Sequence, residues 1–206
     1  MNTQTDALTA LEVKGQQLRQ ETRERMFSAL LTQGDSDLSK AAAQRIRDGG
    51  QAELARLQVT VTAVARDAAR AHRARLFDVT TPGAHIQADL AKRHYARQLA
   101  QESARKVRTS QEAMEALTSA LRNPGAGEGM ALVRAAAIAE RCHEQGWTEP
   151  LEMWLRSPWG ETRGGAHTLA KLAHAERVAG GEAPPALRDL PSAAEMAGDT
   201  WPATNR

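Results

Sequence analysis

Apolar residues recur along most of this chain every three or four positions, and that period predicts helices almost throughout. The first spans residues 4–33. Leu8, Leu11, Leu18, Met26, Leu30 and Leu31 fall largely on one stripe, with Gly15 a weak point. Gly34-Asp35-Ser36-Asp37 ends it: glycine suits the residue after a helix, and short polar side chains cap the next one. A short helix over 37–48 then runs into Gly49-Gly50. Residues 51–77 carry the most regular pattern. Leu54, Leu57, Val61, Val64, Ala68 and Ala71 step by three and four in turn, the a/d spacing of a coiled-coil seam. Thr80-Thr81-Pro82-Gly83 breaks the chain, and residues 83–122 follow as one long helix. There Val107, Ser110, Met114, Leu117 and Leu121 form a second seam, continued towards the N-terminus by Ala96, Ala100 and Ser103. The simplest partner for it is 51–77, folded back antiparallel across Pro82-Gly83.

The pattern changes after Asn123-Pro124-Gly125-Ala126-Gly127, which has the composition of a linker. All four tryptophans lie beyond it. Residues 128–145 form a helix closed by Gly146, Thr148-Glu149-Pro150 starts a short one, and Ser157-Pro158-Trp159-Gly160 breaks that. A last helix covers 161–179 with Leu169, Leu172 and Val178. Trp147, Trp154 and Trp159 form the expected core of this three-helix unit. Residues 180–206 contain four of the eight prolines and read as a tail without fixed structure of its own. Its spaced Leu187, Leu190, Met196 and Trp201 can dock on the protein's own surface or on a neighbour. The expected class is therefore all-α: a long antiparallel helical hairpin, a small Trp-centred three-helix unit and an irregular C-terminal tail. The expected domains are an elongated region 1–122, a linker 123–127, a bundle 128–179 and the tail 180–206.

Composition sharpens this. Forty of the 206 residues are Ala, aromatics are only 3%, and 22 of the 27 basic residues are Arg. Little β-branched or aromatic material is left to build strands. Alanine seams also bury little area per residue, at roughly 25 cal/mol per Å². Long helices with thin contacts gain stability by packing on another chain, so a homo-oligomer is expected. Formal net charge is only +2. It is uneven, because residues 1–125 carry 19 Lys/Arg against 14 Asp/Glu, and 126–206 carry 8 against 11. A basic front and an acidic back allow head-to-tail contact between copies, although solvated surface is the commoner reason for such a difference.

The candidate chemistry is sparse. Cys142 is the one cysteine, so neither an intrachain disulfide nor a Cys-based zinc site can be built. Glu140-x-x-His143 has the spacing of di-iron bundles but no second copy, and His167 with His174 lacks a carboxylate partner in sequence. Phosphate-loop, dinucleotide and nucleophile-elbow motifs are missing, so no enzyme, cofactor, metal or small-molecule substrate is expected. Residues 1–6 do not resemble a signal peptide, and no window has the apolar run of a membrane span. Partner binding falls to the seams and tail: Leu54, Leu57, Val61, Val64, Val107, Met114, Leu117, Leu121 and Trp201. Arg66, Arg70 and Arg73 share one helix face, and Arg97, Arg105 and Arg108 add a second basic region. These offer an alternative, non-specific contact with a nucleic-acid backbone, though no aromatics interleave for base stacking.

One segment carries a resemblance. Ala135-Ala136-Ala137-Ile138-Ala139-Glu140-Arg141-Cys142-His143-Glu144-Gln145-Gly146-Trp147 is followed by Leu151-Glu152-Met153-Trp154-Leu155 and Leu169-Ala170-Lys171-Leu172. This order, over about a quarter of the chain, resembles small helical proteins of the head and tail gene modules of actinobacterial phages and prophages. The resemblance implies a structural virion or assembly component with other virion proteins as partners. It would be located in the host cytoplasm during assembly and then in the particle, and it brings no catalytic residues. A regulatory adaptor is a further alternative.

Overall fold

The computed structural model describes residues 3–32, 36–78, 87–122 and 128–198. Among these it is all-helical: α1 (Thr3–Thr32), α2 (Asp37–Phe77), α3 (Gln87–Arg105), α4 (Ser110–Arg122), α5 (Glu128–Gln145), α6 (Thr148–Arg156), α7 (Pro158–Thr162), α8 (Gly165–Ala179) and α9 (Ala193–Gly198). The chain divides into two compact units, one of residues 1–68 with 174–206 and the other of residues 69–173.

In the first unit α1 and α2 form a long helical hairpin. Met26, Phe27, Ala29 and Leu30 of α1 pack with Ala43 and Ile46 of α2. The expected stop at Gly49-Gly50 does not occur, and α2 runs through both glycines as one helix of 41 residues. The reason is packing. Gly50 is buried, and a Cβ there would lie 2.5 Å from Thr22 Cγ2 of α1. It serves close approach of two helices, at the cost in helix propensity that any mid-helix glycine carries. The seam beyond it faces inward: Leu54 and Val61 are buried, and Leu57 and Val64 are half-buried.

The tail also differs from expectation, because residues 182–198 have a fixed course along this hairpin. A 3₁₀ turn at Pro185–Leu187 packs on α1, and Leu187 seats against Gly15. The supposed weak point in α1 is the slot that admits it. Arg19 donates to the carbonyls of Pro185 (3.3 Å) and Arg188 (2.6 Å). Gln51 of α2 accepts from Leu190 N–H at 3.0 Å and donates to Asp189 at 2.6 Å. Ala193 and Met196 of α9 then join the Met26 cluster. Of the two docking options open in sequence, the protein's own surface is the one taken. Trp201 lies outside the described residues.

The second unit is arranged around α5. Residues Ala135 to Ala139, including Ile138, are all buried, as is Cys142. A helix that is apolar on every side has neighbours on every side, and α5 packs on α3, α4 and α6. Leu76 and Phe77 from the end of α2 join the same core. Alanine makes this possible, since short side chains let several helices approach one axis. The thin seams are thus satisfied within the chain. Gly146, at φ 70°, closes α5 in the left-handed region that glycine adopts without steric cost, and Trp147 N–H reaches Cys142 O at 2.9 Å.

The single helix expected over 83–122 is two, α3 and α4, separated at Lys106–Thr109. Thr109-Ser110-Gln111-Glu112 is the cause. Thr109 Oγ1 accepts from Glu112 N–H at 3.1 Å, and Glu112 reaches back to Arg108 N–H at 2.7 Å. A capping box of this kind satisfies donors that only a helix start leaves unpaired. The fold-back residues Thr80–Gly83 and the linker 123–127 lie outside the described residues. α3 does return onto the end of α2, where Arg97 meets Asp78 at 3.1 Å. The helices flanking the linker, α4 and α5, pack on each other.

The expected tryptophan core is a single residue. Trp154 is fully buried and Trp147 partly so, whereas Trp159 is 47% exposed. α7 turns Trp159 outward. Ser157 caps α7 by accepting from Gly160 N–H at 3.2 Å while donating to Trp154 O at 2.6 Å. The close approach of Gly160 to the backbone of Trp154 and Leu155 fixes that corner. The last helix is accordingly shorter than 161–179 and starts at Gly165.

Candidate functional site: apolar helix faces and two polar grooves

Large apolar side chains stand exposed on several helices, and their spacing decides which of them form a face. In the second unit Tyr95 is 64% and Leu99 41% exposed. They sit one turn apart on α3, and residues four apart on a helix lie side by side. In the first unit Leu31 and Leu38, at 68% and 77%, lie at the end of α1 and the start of α2. Scattered apolar residues are normal on any surface, and it is large contiguous apolar patches that mark contact sites.

A groove of about 510 Å³ lies in the first unit between α1, the start of the tail and the end of α8. Val13, Pro184 and Pro185 give it an apolar side, and Glu12, Gln16, Arg19, Arg23 and His174 a polar one. His174 Nε2 lies 2.8 Å from Glu12 Oε1, a hydrogen bond that becomes an ion pair when the imidazole is protonated. It ties α8 to α1. Arg19 is held by its two carbonyls and Gln20 by Glu24 at 2.8 Å, so much of the polar lining already serves the fold. Glu12 and His174 stand 162 residues apart, and no local pattern announced the pair.

A smaller notch, about 120 Å³, opens in the second unit between α3 and α5. Arg105 and Gln101 line one side, and Glu140, Arg141 and Glu144 the other. Arg73 of α2 binds both glutamates, Glu140 at 3.5 Å and Glu144 at 3.0 Å.

The residues expected to bind partners are largely interior. Leu54, Val61 and Leu117 are buried. Val107 and Leu121 pack on the core of the second unit, and Leu57, Val64 and Met114 are half-buried. The seam residues of α2 and α4 lie on inward faces that the chain itself covers, whereas Leu31 of the α1 stripe stands exposed. Of the arginines, Arg66, Arg70, Arg105 and Arg108 are exposed. Arg73 and Arg97 are engaged with carboxylates. Glu140 is therefore committed to Arg73, and His143 lies beside Phe77 with ring centroids 6.0 Å apart. Among the described residues no group of three His, Cys, Asp or Glu is placed to hold a metal ion. Burial pushes the Cys142 thiol up to about 11, so it remains protonated at neutral pH. His72 sits below its usual value because it is buried, with Lys171, Arg75 and His167 nearby. No helix among the described residues is long and apolar enough to cross a membrane. No known protein family, curated protein or solved structure matches the chain.

Proposed function

We propose that this protein is an assembly component that binds further copies of itself and other protein chains through exposed helix faces. The Tyr95–Leu99 face of α3 carries the reading, since two large apolar side chains one turn apart are held outward on a helix whose Ala100 and Ala104 are buried. Leu31 at the end of α1 and Leu38 at the start of α2 add further exposed apolar side chains. The likeness of residues 128–178 to phage head and tail proteins supplies the setting: a head, neck or tail component, made in the host cytoplasm and carried in the particle. The nucleic-acid alternative loses support from two of its six arginines. Arg73 and Arg97 already face carboxylates, and a phosphate would have to displace them.

Light scattering coupled to size exclusion tests the reading. The wild-type chain is expected to exceed the mass of one chain at micromolar concentration, and Tyr95→Ser with Leu99→Ser to return it to that mass with unchanged helicity. A wild-type protein that stays a folded monomer across the concentration range refutes self-association.

A further inference from the structure

We infer that the furrow along α1 and α2 accepts the tail of a second copy as well as its own, so that two chains join by exchanging residues 184–198. The furrow recognises the tail as a segment. Arg19 and Arg47 donate to its carbonyls at Arg188 (2.6 Å) and Leu190 (3.3 Å). Gln51 holds both the Leu190 N–H and the Asp189 carboxylate. Leu187 fills the slot at Gly15, and Ala193 and Met196 close on Met26 and Ala43. Together these contacts specify an extended main chain with leucine, aspartate, leucine and methionine at fixed places. None of them depends on the covalent path by which the segment arrives.

That path is easily re-routed. α8 ends at Ala179, and Gly180, Gly181 and Glu182 are exposed. Gly181 has φ 102°, and a Cβ there would meet nothing within 4 Å. A glycine pair takes up other backbone angles without steric cost, so the tail can leave α8 in another direction. Pro184 and Pro185 have φ fixed by their rings, so the segment that follows the link loses less freedom on docking. A second copy offers the same slot, arginines and glutamine. The exchanged pair keeps every furrow contact and differs from two closed chains only at the Gly180–Glu182 link, which makes such exchange a low-cost route to dimers. A tail on a short link meets its own hairpin at an effective concentration on the order of millimolar. Closed chains therefore prevail in dilute solution and exchanged ones where copies are crowded. This mode of joining goes beyond the apolar faces proposed above and uses none of their residues.

The test is cross-linking between two full-length variants, Gln51→Cys and ¹⁵N-labelled Asp189→Cys, equilibrated together and joined with a short bismaleimide. Cys142 is buried and stays out of the reaction. Both chains also carry Tyr95→Ser and Leu99→Ser, so the outcome does not depend on the apolar face of α3. Mass spectrometry is expected to find position 51 of one chain linked to position 189 of the other, with a yield that rises as the mixture approaches about 1 mM. Adding Leu187→Ala to the Asp189→Cys chain empties the Gly15 slot without altering the hairpin, and should lower that yield by about tenfold or more. An Arg134→Cys chain, substituted at an exposed position of α5, should give no such link with Asp189→Cys. Exchange is overturned if the double variant Gln51→Cys/Asp189→Cys links only within one chain and the mixture gives no link at any concentration. It is equally overturned if linkage survives Leu187→Ala or is as abundant at position 134, since collision alone then accounts for it.

Discussion

The two units solve the same compositional problem in different ways. The second gathers short helices, consecutive in sequence, around α5, whose alanine run is buried on every side and whose neighbours contribute Trp154, Leu117 and Leu172. The first is built from two long helices that touch through small residues, Gly50 on Thr22 and Ala43 on Met26. To the buried Met26, Leu54 and Val61 of the hairpin it adds Leu187, Leu190 and Met196 from the far end of the chain. The difference teaches where a protein poor in aromatics finds its core. One unit brings many backbones close to one axis, and the other leaves a furrow along a hairpin and fills it with its own tail.

Substitutions can break this contrast. The largest effect is expected in the second unit, where Trp154→Ala removes the biggest fully buried side chain and should cost about 3–5 kcal/mol in urea unfolding. The first unit should respond instead to added volume. Gly50→Ala forces a methyl group onto Thr22 and should destabilise by about 1–3 kcal/mol. Gly49→Ala, one residue away and facing open space, should have the opposite sign, gaining up to about 1 kcal/mol from helix propensity alone. If both alanines stabilise, the hairpin is not held by close approach.

The smallest effect concerns the tail and acid. Glu195 accepts from Ser192 N–H at 2.6 Å, and Ser192 Oγ accepts from Glu195 N–H at 3.2 Å, capping α9. Those hydrogen bonds hold the Glu195 carboxyl below its ordinary value of 4.5. A lowered folded value means the stabilisation is present at neutral pH and is lost as pH falls below 4.5 through the folded value. The Met196 methyl resonance should therefore move towards its unfolded position in acid. In Glu195→Gln that response should flatten, because the side chain at that position no longer titrates. An acid response identical in both proteins would assign the effect to another carboxylate.

Much of the secondary structure was legible in sequence because it is local. The bounds of α1, the end of α5 at Gly146 and the break at Ser157-Pro158 follow from apolar period and turn chemistry within a few residues. The capping box at Thr109 was equally local, but the unbroken seam on either side of it suggested a continuous helix. Gly15 and Gly50 misled for another reason. A glycine that admits a neighbouring backbone and one that ends a helix look alike until the neighbour is known. The notch and the Glu12–His174 groove left no trace, since their residues come from elements that only packing brings together.

By itself the sequence determined an all-helical chain, the inward face of the seams in α2 and α4 and the scarcity of bulky core residues. Those properties depend on the preferences of each residue and on its neighbours three and four positions away. Only the tertiary structure decided that the seams are covered within the chain, that the tail lies along the first hairpin, and which arginines find carboxylates. These outcomes depend on contacts between residues far apart in sequence. A helical period records that a face is apolar but does not specify what will cover it.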